Sequence, residues 1–170
     1  DILGEVDPAA LARVETIVLY GEPGDRPVGA LPLAARAVTY EQLVAGDAFA
    51  GDDGGRDAGC AIFTTSGTTR APKFVLHAQR SVLDHARDAA RSFGYGAPDT
   101  VLLQALPLCG VFGFSQAMAG LSGGAPLHML PVFEAGAAAR IIQEARVTQL
   151  NGSDDMFRRL FDAAGGAAPF

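Results

Sequence analysis

From Cys60 to the end of the chain, short apolar runs alternate with stretches of helical periodicity, and this alternation limits the fold more than any other feature. Cys60–Thr64 and Phe74–His77 read as buried strands, and Thr100–Leu106, Pro126–Leu130 and Val147–Leu150 as further strands. From about Arg80 to Phe93, Val82, Leu83, Ala86, Ala89, Ala90 and Phe93 fall on one face of a helix. Asp84 with Arg87 and Asp88 with Arg91 pair three apart on its wet side, and Gly94 and Gly96 stop it. A glycine-interrupted apolar segment covers Val111 to Leu121, and Ala138, Ile141, Ile142 and Ala145 mark another helix face. Ser153 is placed to cap a last helix that buries Met156, Phe157, Leu160 and Phe161. Strands separated by helices of this length need crossover connections, so the expected fold is α/β, a mainly parallel sheet flanked by helices.

The first third is less regular. Pro8 to Val14 suits a helix, Thr16 to Tyr20 a short buried strand, and Val38 to Val44 a strand leading into a helix. The acidic, glycine-rich stretch Gly51–Gly59 is the expected boundary, giving a leading helix–strand segment over 1–58 and an α/β subdomain over 59–170. The chain opens at Asp1 without a methionine, as an excised piece or a processed chain would.

Charge narrows the partners. With a formal net charge of −6 and scattered basic residues, neither nucleic acid nor an anionic membrane surface is expected as a partner. No run of about 20 apolar residues and no basic-then-apolar leader is present, so no membrane span and a cytoplasmic location are expected. Cys60 and Cys109 lack CxxC spacing and sit among apolar residues, which predicts two reduced, buried thiols. His77, His85 and His128 share no ligand spacing, so no metal site is expected on them. Asp52–Asp53 and Asp154–Asp155 read as loop and helix-start charges.

A polyanionic ligand would therefore have to be held by local geometry, and one segment offers it. Ile62 to His77 reads IFTTSGTTRAPKFVLH. An apolar strand delivers the hydroxyls of Thr65, Ser66, Thr68 and Thr69, which can donate to phosphate oxygens. Gly67 allows the backbone to bend close to an anion with its N–H groups inward. Pro72 restricts Ala71 to extended geometry, and Lys73 adds a mobile point charge. The lysine follows a proline and precedes a strand, so this is not the helix-opening Gly-Lys-Ser/Thr loop of kinases and GTPases.

Thr65 to Lys73 resembles the phosphate-binding loop of the adenylate-forming superfamily, which includes acyl-CoA synthetases, aryl-CoA ligases, peptide-synthetase adenylation domains and luciferases. Leu106 to Gly113 (LPLCGVFG) is similar to that family's Leu-Pro-x-x-His-x-x-Gly segment, and Val147 to Gly152 (VTQLNG) to a later strand. The resemblance runs from about Gly59 to Phe161. It implies Rossmann-like layers belonging to a large N-terminal domain, of which this chain would be a piece.

The resemblance further implies an AMP-forming acid–thiol ligase. A carboxylate attacks the α-phosphate of ATP to give an acyl-adenylate and pyrophosphate, and a thiol of coenzyme A or of a carrier protein then takes the acyl group. The carboxylic acid is already ionised at neutral pH, so the protein's task is to juxtapose two anions and neutralise departing charge. Thr65, Ser66, Gly67, Thr68, Thr69, Arg70 and Lys73 are the expected ATP contacts, with Lys73 catalytic. Gly110, Val111, Phe112 and Phe114 are candidates for the acyl pocket, against a plainer reading as core. Fatty-acid metabolism is one setting this implies.

Three positions depart from the family pattern. Arg70 and Phe74 stand where glycines are usual, and Gly110 where a histidine is usual. The family's Tyr-Gly-x-Thr-Glu motif, its ribose-binding aspartate and its C-terminal lysine are not found. The adenine pocket and the Mg²⁺-binding glutamate are therefore expected in the remainder of the enzyme, and the isolated chain is expected not to complete adenylation. The alternative is a non-catalytic nucleotide-binding α/β module whose phosphate loop is vestigial.

Overall fold

The computed structural model describes residues 7, 9, 12–20, 36–48, 50–51, 54–65 and 72–166. The chain divides into two compact units, residues 1–52 and 53–170.

In the first unit, β1 (Thr16–Leu19) and β2 (Arg36–Thr39) pair in parallel, in register from Thr16↔Arg36 to Leu19↔Thr39. The chain turns from strand to helix at Thr39, where α1 (Tyr40–Val44) begins. A capping box makes that switch sharp. The Thr39 hydroxyl accepts from Gln42 N–H at 3.1 Å, and the Gln42 side chain accepts from Thr39 N–H at 3.0 Å. Much of the helix expected over Pro8 to Val14 lies outside the described residues. Ala9 is helical, but Ala12 and Arg13 form a turn and Val14 is irregular, so the helix ends earlier than the periodicity suggests.

The second unit opens with β3 (Gly59–Thr65) and β4 (Lys73–Ala78), which pair antiparallel with Thr65 opposite Lys73. A connection this short cannot cross over, so this pair departs from the parallel arrangement of the rest. α2 (Gln79–Phe93) follows at once, its first turn anchored by Gln79 N–H to Ala58 C=O and Arg80 N–H to Arg56 C=O, both 2.9 Å. It ends at Gly94, whose φ of +70° is a left-handed cap that disfavours a side chain. The expected Asp84–Arg87 and Asp88–Arg91 pairs form on its exposed side, at 3.6 and 3.5 Å.

The remaining strands make a parallel sheet in the order β6–β5–β7, with β5 (Leu102–Gln104) central, β6 (Leu127–Met129) and β7 (Gln149–Leu150) outside. The crossovers are α3 (Val111–Gly123) and α4 (Ala135–Glu144), and α5 (Asp154–Ala163) follows β7. Successive strand residues point to opposite faces, and β5 uses this to hold two cores together. Leu103 packs with Ala138, Ile142, Val147 and Leu160, whereas Leu102 packs with Ala90, Tyr95 and Ala119. Ser153 caps α5 by accepting from Met156 N–H, as its position predicts.

Several expected burials are corrected. Cys60 and Cys109 are free thiols but exposed. Cys60 lies on the hairpin beside a register irregularity, and Cys109 lies in the turn before α3. Leu83, Phe93 and Phe161 are exposed although their spacing matches an inner face, and the strands expected to be buried expose Val18, Tyr20, Ile62, Phe74 and Leu76. Tyr95 takes the interior place beside α2, its hydroxyl accepting from Asn151, and Phe93 merely stacks over it at 5.6 Å. No helix among the described residues is long and apolar enough to cross a membrane.

Two features generate stability predictions. Gln116, only 4% exposed in the interior of α3, has no hydrogen-bond partner for either amide atom. An orphaned buried polar group costs about 1–3 kcal/mol, so Gln116→Met should stabilise the chain by about that amount, read from urea denaturation midpoints. A lower midpoint in the variant would mean that the amide is partnered. Glu134 caps α4 by accepting from Gly136 and Ala137 N–H, and these bonds hold its carboxyl below the ordinary value of 4.5. A depressed folded-state pKa contributes stability that is present above 4.5 and lost as pH falls through the folded value. Wild type should therefore melt higher than Glu134→Gln at pH 7, with the gap closing steadily below pH 4.5. A gap independent of pH would show that the charge contributes nothing.

Candidate functional site

Thr65 and Lys73 form the last register pair of the hairpin, so the two ends of the intervening loop are held one strand spacing apart. Both side chains are exposed, and Pro72 leads directly into Lys73. Ser66, Gly67, Thr68, Thr69 and Arg70 lie outside the described residues. Alternation along the strands puts Ala61, Phe63 and Thr65 on one face, and their partners His77, Val75 and Lys73 share it. Phe74, opposite Thr64, belongs to the other face and is 76% exposed.

The face that carries Thr65 and Lys73 also packs on the helices behind the hairpin. Phe63 sits 5.3 Å from the Phe114 ring of α3 and meets His77 edge-on at 5.6 Å. These rings border a cavity of about 230 Å³. The hairpin contributes Phe63 and His77, and α2 contributes Ser81, Val82 and His85. From α3 come Val111, Phe114, Ser115 and Met118, a single stripe at helical spacing.

The segment entering α3 is tightly held. Gln104, at the carboxyl end of the central strand, donates from Nε2 to Leu106 C=O at 2.6 Å and to Gly113 C=O at 3.2 Å. Gly110 is the N-cap, extended at φ −97° and ψ 144°, with no side chain to cap the helix. A Cβ on Gly113 would strike Pro107 C=O, so only glycine lets the first turn of α3 lie against this segment. Of the four expected pocket residues, Val111 and Phe114 reach the cavity, Gly110 caps the helix and Phe112 is exposed.

Phe63, His77, Ser81, His85, Ser115 and Met118 were not singled out from sequence as pocket residues. Two signals pointed to them: Ser81 with His85 and Val111 with Ser115 and Met118 repeat at helical spacing, and Phe63 alternates with Thr65. The missing information was tertiary, namely that α2 and α3 pack behind the same hairpin face.

Comparison with known proteins places this geometry. The family described as AMP-binding enzyme matches residues 8–169. A 4-coumarate–CoA ligase-like protein of Arabidopsis thaliana is 31% identical over 116 residues, which is 65% of this chain and 20% of that protein. The 2-succinylbenzoate–CoA ligase of the same plant is 35% identical over 92 residues, 54% of this chain and 16% of its own. The chain thus spans a fifth or less of these curated relatives. In fold, it is similar to a crystal structure described as a long-chain-fatty-acid CoA ligase from Rhodopseudomonas palustris. That match has a TM-score of 0.69 and 21% identity, covering 91% of this chain and 41% of that one. With the matching sequence spanning the hairpin, the cavity and the parallel sheet alike, this chain belongs to the AMP-binding enzyme family.

Proposed function

We propose that the chain supplies the phosphate grip and part of the acyl site of an ATP-dependent acid–thiol ligase. The observation that carries this reading is the Thr65↔Lys73 pairing. A hydroxyl and an ammonium stand opposite each other at the mouth of a loop whose sequence, SGTTRA, is rich in donors and contains no acid. Such a mouth fits a polyphosphate, because the anion meets a charge-assisted donor on one side and neutral donors on the other. In this reading Ser66, Gly67, Thr68 and Thr69 complete the cradle with Lys73, and Arg70 adds a second cation.

The reaction follows from the charges that must be handled. The incoming carboxylate is a nucleophile without further activation, so the loop's work is to position the triphosphate and offset charge gathering on pyrophosphate. Lys73 is the residue of this chain suited to that, since its long stem follows the moving charge. Mg²⁺ would neutralise further phosphate charge. The family's Mg²⁺-binding glutamate belongs to a Tyr-Gly-x-Thr-Glu motif that this sequence does not contain, so in this reading that ligand comes from the remainder of the enzyme. Transfer of the acyl group to coenzyme A, or to a carrier-protein thiol, completes the proposed activity. The names of the relatives, one a 4-coumarate-type and one a 2-succinylbenzoate ligase, support CoA as acceptor. Two exposed free thiols suit a reducing compartment such as the cytoplasm.

Calorimetric titration of the chain with ATP and with pyrophosphate tests the grip. A charge-assisted bond to phosphate contributes about 1.5–3 kcal/mol, so Lys73→Ala should weaken binding roughly 10- to 150-fold. The wild-type affinity should also fall as salt is raised. Equal affinity in both proteins, or binding in neither, would remove the basis for the assignment.

A further inference from the structure

Two sides of α2 border cavities. Ser81, Val82 and His85 turn to the cavity behind the hairpin. Arg80, Leu83, Asp84 and Arg87, at helical spacing on the opposite side, border a second cavity of about 300 Å³, together with Arg56 and Gln79. We infer that this second cavity binds a small phosphate monoester, gripped by Arg56, Arg80 and Arg87, with its organic group against Leu83. The inference goes beyond the ligase reading and does not depend on it.

The site is assembled by tertiary structure. Arg56 precedes the hairpin and the other two arginines follow it, so sequence alone keeps them apart. Backbone bonds bring them together. Arg80 N–H donates to Arg56 C=O and Gln79 N–H to Ala58 C=O, both at 2.9 Å, which ties the Arg56–Ala58 segment to α2. Basic residues scattered along a chain of net charge −6 thereby meet on one concave surface.

Each guanidinium keeps donors for a ligand. Arg56 forms no ion pair among the described residues. Arg80 holds Asp57 at 2.9 Å, but a guanidinium carries five N–H donors and one carboxylate occupies at most two of them. Arg87 reaches Asp84 only at 3.6 Å, with both side chains 56% exposed, so that pair is too solvated to keep the arginine from a competing anion. Three guanidiniums against the two carboxylates of Asp57 and Asp84 leave one positive charge in excess.

Shape and donor chemistry select the ligand class. A phosphate monoester has three terminal oxygens to share among three guanidiniums, whereas a carboxylate has two in one plane. The Gln79 amide adds a neutral donor. Leu83, 46% exposed, offers apolar surface to the ester's organic group. The volume lies at the lower end of the roughly 300–1,000 Å³ of small-molecule sites, which suits a small ester.

NMR titration of the whole chain with phenyl phosphate, inorganic phosphate and phenylacetate tests this. Phenyl phosphate should shift the Leu83 methyl and Gln79 side-chain amide signals saturably. Inorganic phosphate should do so more weakly, and phenylacetate should leave them in place. Arg56→Gln and Arg87→Gln should each weaken phenyl phosphate binding roughly tenfold or more, with the amide spectrum confirming an intact fold. Lys73→Ala should leave the same shifts unchanged, which separates this cavity from the phosphate loop. Unmoved Leu83 and Gln79 signals, equal binding of phenylacetate, or undiminished affinity in both arginine variants would overturn the inference, as would loss of the shifts in Lys73→Ala.

Discussion

The antiparallel register of one hairpin is the constraint on which the site depends. Because side chains alternate along a strand, placing Thr65 opposite Lys73 also fixes Phe63 and His77 to the same face, toward α2 and α3. A one-residue slip would move Lys73 to the far side and bring Phe74 in against the helices. The edge-on contact between Phe63 and His77 opposes that slip, since it joins the two strands and needs both side chains on one face. Polar mouth and aromatic wall are thus consequences of a single pairing choice.

The helices behind the hairpin are held by a second constraint, the burial of β5 on both faces. Leu102 and Leu103 have no exposed surface and belong to opposite cores, so the central strand couples the layer containing α2 and α3 to the layer containing α4 and α5. Close approach follows where side chains are absent. A Cβ on Gly120 would come within 3.0 Å of Leu102, and a Cβ on Gly113 would strike Pro107 C=O. Gln104 then links the end of β5 to the first turn of α3 through its amide. The stripe of Val111, Ser115 and Met118 is therefore aimed by packing at the sheet together with the segment that precedes the helix.

Much of this was legible in the sequence because it is local. The periodicities of α2 and α5, the Gly94 stop, the Ser153 cap and the strands of the second unit follow from spacing and backbone chemistry within a few residues. The misreadings are tertiary. Leu83, Phe93 and Phe161 carry helical spacing but find no layer to face, and the two cysteines lie where a neighbouring apolar sequence does not produce a covered surface. The cavity could not be read because its walls come from separate stretches of the chain, Phe63, His77 to His85 and Val111 to Met118. Spacing identifies which side chains of one helix share a face; it does not say which faces meet.

The same register bears on the departures from the family's glycine pattern. Phe74 takes the place of a usual glycine next to Lys73, and a bulky ring there would be expected to crowd a bound phosphate. Its partner is Thr64 and its face is the outer one, so the ring points away from the surface shared by Lys73 and Phe63 and remains mostly exposed. The substitution alters the outer surface of the hairpin and leaves its inner face unobstructed. Gly110 is different in kind, because it is the cap of α3 beside Val111, and the absent side chain leaves the approach to that helix end open.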